Sequence, residues 1–247
     1  LQLQLRAVAD GGAPFAQMFA MSSFRATLNS TILLAVCSTI LAVVIGTAIA
    51  WCSSLLPGRF QKAGQFVPLM PLVLPALAAV SGYVFLFSPR VGYVNALLRE
   101  LPFFSHLTEG PFNVYSLPAM IIITGLLLSA YVYLFVQTGL QNMGQDLEAA
   151  AAASGASPLR TLFTITLPLL RPSIVFSAAI VFLIGLGQFT VPLLLGRTLQ
   201  INVLTTEMFY LTLESPVNYG LGAALGSPVL MAGIALVLVQ KFLLGEQ

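Results

Sequence analysis

Charge is the scarcest commodity in this chain. Asp, Glu, Lys and Arg together make up 7% of its 247 residues, whereas soluble domains carry roughly 25%, so a fully hydrated surface cannot be built from it. Only two lysines occur, Lys62 and Lys241, and the formal net charge is +2. With no run of basic residues, nucleic acid is excluded as a partner. One histidine, His106, lies in a loop between Pro102 and Pro111, which leaves a membrane hydrolase without a base for its serine. One His and two Cys also make no metal-ligand set. Cys37 and Cys52 fall fifteen residues apart in one apolar segment, roughly 22 Å along a helix, so they cannot bridge to each other. A Gly-rich phosphate loop closing on Gly-Lys-Ser/Thr is missing too, and the chain does not hydrolyse ATP by itself.

Apolar residues are what remains. They are 58% of the chain, the mean hydropathy is +0.95, and they come in runs of about 20, the length a helix needs to cross a bilayer. Five segments meet that length: 27–52, 65–87, 117–139, 173–195 and 221–244. The second carries Pro68, Pro71 and Pro75, each of which removes a backbone donor and kinks a helix. Its first half is expected to be bent or broken and, because lipid cannot satisfy freed carbonyls, to face the bundle interior. Residues 1–26 alternate apolar and polar, include Asp10-Gly11-Gly12 and Pro14, and lack the pattern of a signal peptide. They read as a loop or surface segment with an incomplete start. The stretches 88–116 and 197–220 read as loops, and basic residues divide evenly between the two sides, so the positive-inside bias does not orient the chain.

The polar stretch 141–172 is the most informative. Asp146-Leu147-Glu148 precedes five alanines, a strong helix former with acids at the end the helix dipole favours. Gly155 then offers a residue free to take positive φ at a helix end, and Ser157-Pro158 matches an N-cap followed by proline at the first helical position. A second short helix follows through Leu159, Arg160, Leu162, Phe163 and Ile165, apolar along one face. Leu167-Pro168 is expected to end it before the fourth span. The product is a helix-turn-helix elbow lying outside the membrane.

On these residues the chain resembles the inner-membrane permeases of binding-protein-dependent ATP-binding-cassette importers, whose signature loop reads E-A-A, three residues, Gly, nine residues, I-x-L-P. Gly155, Ile165, Leu167 and Pro168 hold that spacing, and Ala150 and Ala151 fill the alanine positions. The Glu position holds Ala149, with the acid one place earlier at Glu148. The resemblance implies an all-α transmembrane bundle of about five to six helices of the type I importer kind, comprising residues 27–247, with a cytoplasmic coupling-helix loop in a bacterial inner membrane. It implies an interface with a nucleotide-binding ATPase dimer made by Glu148, Ala149, Ala150, Gly155, Ala156, Ser157, Pro158, Leu159 and Arg160. ATP and Mg would belong to that partner, and no cofactor to this chain. A second permease copy or sister subunit, a periplasmic or lipid-anchored substrate-binding protein and membrane lipid complete the implied partners.

The stretches FLFSPRVGYVN, GQFTVPLLLG and VLTTEMFYLTLESPVNYGLGAAL resemble the ferric-iron branch, although polyamine, thiamine and phosphonate permeases share much of that pattern. Gln188, Phe189 and Thr190 form the most polar point of the fourth span, and polar groups at that depth line pathways or bond neighbouring helices. Tyr83 and Ser88 are further pathway candidates. A secondary transporter is the rival class, but it would carry acids or bases inside its spans for ion coupling, and these spans have essentially none.

Overall fold

The computed structural model describes residues 12–56, 64–143, 151, 153–213 and 217–244. Among them every regular element is helical. Four helices are long and apolar enough to cross a membrane, and a bent pair makes up to five spans.

The first long helix, α2 (Phe24–Ser54), shows why the bundle closes tightly. Thr31, Ala35, Ser38, Ala42, Gly46 and Ala50 recur at steps of three and four and are buried, while Val36, Ile40 and Val44 on other faces are exposed. Small residues inward and large apolar ones outward is the membrane pattern, because lipid solvates Leu and Val as well as protein does and close backbone approach supplies the packing. The inward stripe meets α6 (Leu117–Asn142). A Cβ on Gly46 would lie 2.6 Å from the Ser129 carbonyl and 2.7 Å from the Val132 Cβ. Ser116 caps α6, its hydroxyl accepting from the Ala119 N–H at 3.3 Å, and Pro118 sits in the first turn, where a missing N–H costs nothing.

The second span divides, as its prolines require. A 3₁₀ turn (Val67–Leu69) and α3 (Met70–Val73) lead to α4 (Ala76–Phe87) across Leu74-Pro75, with a bend of 103°. The Tyr133 hydroxyl on α6 donates to the Gln65 carbonyl at 3.3 Å, a side chain supplying a donor near the proline-rich break. The expected interior position is corrected. In the single chain only Val80 of α4 is buried, and Val73 is 84% exposed. The kinked pair is an outer wall of this subunit, since the small-residue faces of α2, α6 and α8 (Leu167–Leu186) have already filled the centre.

Four further expectations are corrected. Within the segment read as a loop, Ala13–Ala20 forms α1, whose Met18 packs with Phe24, Leu204, Leu221, Ala224 and Leu225. The stretch 88–116 contains α5 (Tyr93–Arg99), and 197–220 contains α9 (Leu204–Leu213). The fourth span does not reach residue 195. Helix α8 stops at Leu186, and the chain returns through a π-turn (Pro192–Gly196) and a 3₁₀ turn (Arg197–Leu199) before α9 and the last helix, α10 (Tyr219–Leu244).

The segment 88–116 is held by one amide. Asn95, fully buried, shares the two N–H groups of Nδ2 among the carbonyls of Phe87, Ser88 and Phe112 at 3.2, 3.0 and 2.7 Å and accepts the Phe112 N–H at 3.1 Å. Arg90 and Glu109 pair across its exposed rim at 2.9 Å, a contact of small worth in water.

Candidate functional site

The elbow forms from local chemistry. Ala151 and Ala153 are helical, and Gly155 takes φ +78°. The Ala156 N–H donates back to the Ala151 carbonyl at 3.0 Å. That bond, spanning a left-handed residue, is the Schellman closure, in which glycine pays no steric penalty. Ser157 follows in extended conformation, its hydroxyl accepting the Arg160 N–H at 3.4 Å, and Pro158 opens the short helix α7 (Pro158–Thr161). Gly155 and Ala156 lie between the two helical stretches, one closing the first and the other leading to the Ser157 cap of the second. Beyond it Leu159, Arg160 and Phe163 are exposed, the two apolar side chains at 59% and 66%. Glu148, Ala149 and Ala150 lie outside the described residues.

The junction with the fourth span differs from expectation. Leu167-Pro168 does not end the helix, and Pro158–Leu186 runs on as one apolar element of 29 residues. Residues Leu162–Thr166 form a π-turn closed by the Leu167 N–H on the Leu162 carbonyl. Widening the helix by one residue takes the Thr164 carbonyl away from the Pro168 ring, which an α-helix would drive into it. Ile165, Leu167 and Pro168 are half-buried.

At its other end α8 breaks at Gly187. Gln188, Phe189 and Thr190 occupy that break, half-buried, rather than the middle of a continuous span. The Gln188 carbonyl accepts from the Thr205 hydroxyl at 2.6 Å, its Oε1 from the Phe189 N–H at 3.1 Å, and the Phe189 ring stands edge-on to Phe209 at 5.2 Å. Irregular backbone at membrane depth persists where neighbouring protein satisfies it, and α9 does that here. Tyr83 and Ser88 are elsewhere. Tyr83 lines an apolar cavity of about 530 Å³ with Phe87 and Ile123, and Ser88 lines another of about 410 Å³ with Arg90, Glu109 and Thr198. Among the described residues, Tyr83 and Ser88 thus line separate hollows.

Sequence reasoning passed over Thr31, which ties α2 to α9, and the half-buried pair Asn202 and Glu207, whose side chains bond at 2.9 Å. The signal for Asn202 and Glu207 was the polar content of a stretch read as loop, and for Thr31 its place among the small residues of the first span. Among the described residues no three His, Cys, Asp or Glu come together as a metal site would require.

With this geometry in hand, comparison with known proteins is informative. Residues 39–244 match the model of the binding-protein-dependent transport system inner membrane component. The chain belongs to that family. Relatives of this inner membrane component include the ferric transport system permease protein FbpB of Actinobacillus pleuropneumoniae, 26% identical over 209 residues, which are 84% of this chain and 29% of that protein. The sulfoquinovosyl glycerol transport system permease protein SmoG of Agrobacterium fabrum is 27% identical over 93% of this chain and 74% of its own. The molybdenum transport system permease protein ModB of Azotobacter vinelandii is 29% identical over 69% of this chain and 72% of its own. The chain spans about a third of the length of the ferric permeases it matches.

Solved structures agree on the fold. A bacterial alginate ABC transporter in complex with an alginate pentasaccharide-bound periplasmic protein superposes with a TM-score of 0.73 at 19% identity, over 92% of this chain and 80% of that one. The methionine ABC transporter MetNI, in an inward-facing conformation, gives 0.65 at 13% identity over 88% and 92%. The inner membrane component thus has the fold of a type I ABC importer permease.

Proposed function

We propose that this chain is the permease subunit that forms the translocation pathway of an ATP-driven importer and couples hydrolysis in a partner subunit to uptake. The elbow carries the reading. A left-handed residue at Gly155, a capped helix and two exposed apolar side chains, Leu159 and Phe163, make an anchor of the kind that seats in a groove of another protein. Glu148, Ala149, Ala150, Gly155, Ala156, Ser157, Pro158, Leu159 and Arg160 are its contact with a nucleotide-binding ATPase dimer on the cytoplasmic side, with Ile165, Leu167 and Pro168 as its support. A second permease unit completes the pathway, a binding protein delivers the substrate on the opposite face, and Gln188, Phe189 and Thr190 lie along the route.

Ferric iron is the substrate we favour, on the FLFSPRVGYVN and GQFTVPLLLG stretches and the ferric permeases among the relatives. Polyamine, thiamine and phosphonate remain the alternatives in the same class. The relatives named for molybdenum and sulfoquinovosyl glycerol supply two further comparison substrates.

Co-expression with a nucleotide-binding ATPase and a substrate-binding protein of the same importer class tests the reading. Co-purification of the ATPase, with uptake of ferric ion that stops when the ATPase is made inactive, is the expected result. Ion-gradient-driven uptake without any ATPase would overturn it in favour of a secondary carrier.

A further inference from the structure

The elbow and the fourth span are one continuous helix, yet their exposed and buried faces do not line up as a plain α-helix would place them. At about 100° per residue, Leu159 and Leu170 are separated by eleven residues and would lie within roughly 20° of each other. Phe163, Thr166, Ser177 and Val181 would fall on that same side. In the structure Thr166, Leu170, Ser177 and Val181 are buried, at 0 to 2% exposure, but Leu159 and Phe163 are 59% and 66% exposed. Thr161, which a plain α-helix would turn outward, is buried at 7%.

The π-turn at Leu162–Thr166 accounts for the change. A π-turn holds one more residue than the α-turn it replaces, so everything before it is rotated by about 100° relative to everything after it. Counting each elbow residue one place later moves Leu159 to about 90° from the centre of the buried side and brings Thr161 from about 170° to about 70° of it, the direction of the observed burial. Pro168 favours the wider turn, because it has no N–H for the Thr164 carbonyl and its ring would crowd that oxygen in an α-turn, whereas Pro172 further along is held inside regular helix. Two hydroxyls support the widened turn: Thr164 Oγ1 donates to the Arg160 carbonyl at 2.7 Å, and Thr161 Oγ1 to the Ser157 carbonyl at 3.2 Å.

We infer that Pro168 is a positioning residue whose π-turn sets the rotational register of the elbow, turning Leu159 and Phe163 away from the bundle and toward the ATPase. The inference rests on the coupling function proposed above. It assigns the proline of I-x-L-P a job beyond ending a helix: it dictates which face of the elbow the partner meets.

The test pairs a substitution with a deletion. Pro168→Ala lets the turn relax to α and rotates the elbow. Deleting Thr164 in that background removes the extra residue, so a straight α-helix then presents the elbow at its native angle. Nitroxide labels on Leu159→Cys and Val175→Cys, both exposed positions, with Cys37→Ser and Cys52→Ser, report the register in the purified permease, and coupling is read separately in the complete transporter with Leu159 and Val175 intact. Uptake of radiolabelled ferric ion and ATP hydrolysis stimulated by ferric-loaded binding protein report coupling. Pro168→Ala is expected to shift the label distance and lower coupled uptake about tenfold, and the double variant to restore both. An unchanged distance in Pro168→Ala, or a double variant whose distance does not return, overturns the inference. Distances that shift and return while uptake stays coupled throughout leave the register standing and overturn the coupling reading instead. If Pro168→Ala alone fails to assemble, the double variant decides, because it must both assemble and regain the wild-type distance.

Discussion

Thr31 on α2 accepts the Leu204 N–H at 2.9 Å through the same hydroxyl oxygen that donates to the Thr27 carbonyl at 2.7 Å. Leu204 opens α9, and its N–H is one of the donors that a helix start leaves without an internal partner. A residue 173 positions away therefore caps the helix that backs the Gln188 break. Thr31→Val keeps the shape and removes the acceptor, so it is expected to cost about 1–3 kcal/mol, read as a lower unfolding temperature of the detergent-purified protein. Thr31→Ser should be near wild type. Equal behaviour of the two variants would refute the role of the hydroxyl.

Gly155 separates local fold from coupling. Nothing lies within 4 Å of a Cβ built there, so only its φ of +78° opposes a side chain, at about 1–2 kcal/mol for a residue other than glycine. Gly155→Asp is expected to insert and fold while transport is blocked and the ATPase is uncoupled or detached. Normal coupled uptake by that variant would sink the assignment of the elbow.

Gly46 is the opposite case. Backbone and side chain of α6 stand within 2.6 and 2.7 Å of the position a Cβ would take, so α2 and α6 must separate to admit one. Gly46→Leu should destabilise by about 1–3 kcal/mol or more through overpacking, seen as loss of monodisperse protein in detergent extracts. Ile40→Leu on the exposed side of the same helix should be silent.

Asn95→Ala removes the side-chain partner of both the Phe112 carbonyl and the Phe112 N–H, while the Phe87 and Ser88 carbonyls keep the Val114 and Gly92 N–H groups. With each buried unsatisfied group costing about 1–3 kcal/mol, the segment 88–116 is expected to open first, exposing new protease sites between Phe87 and Val114 while the long helices survive. A digestion pattern identical to that of the wild-type protein would argue against this local role.

Much of this was legible in sequence, and the exceptions share a cause. The left-handed Gly155 and the Ser157-Pro158 cap were readable because each is decided by atoms within a few residues. The apolar runs of α2, α6, α8 and α10 were readable because length and composition suffice for a span. Pro168 misled, since local propensity ranks proline as a stop and cannot anticipate that one extra residue in the turn would accommodate it. Gly187 misled because Gln188 to Leu195 is apolar enough to look like more helix, and its break is stabilised by Thr205 and Phe209 from a distant element. The exposure of α4 was out of reach for a third reason: apolar residues that meet lipid, a partner or a core have the same composition.

The fastening of the segment 88–116 has one more implication. The hydrogen bonds of Asn95 all go to main-chain atoms of Phe87, Ser88 and Phe112, so the clasp is indifferent to which side chains those positions carry. The residues between can drift in size and charge, remodelling the outer surface for a different visitor, while one amide preserves the shape underneath.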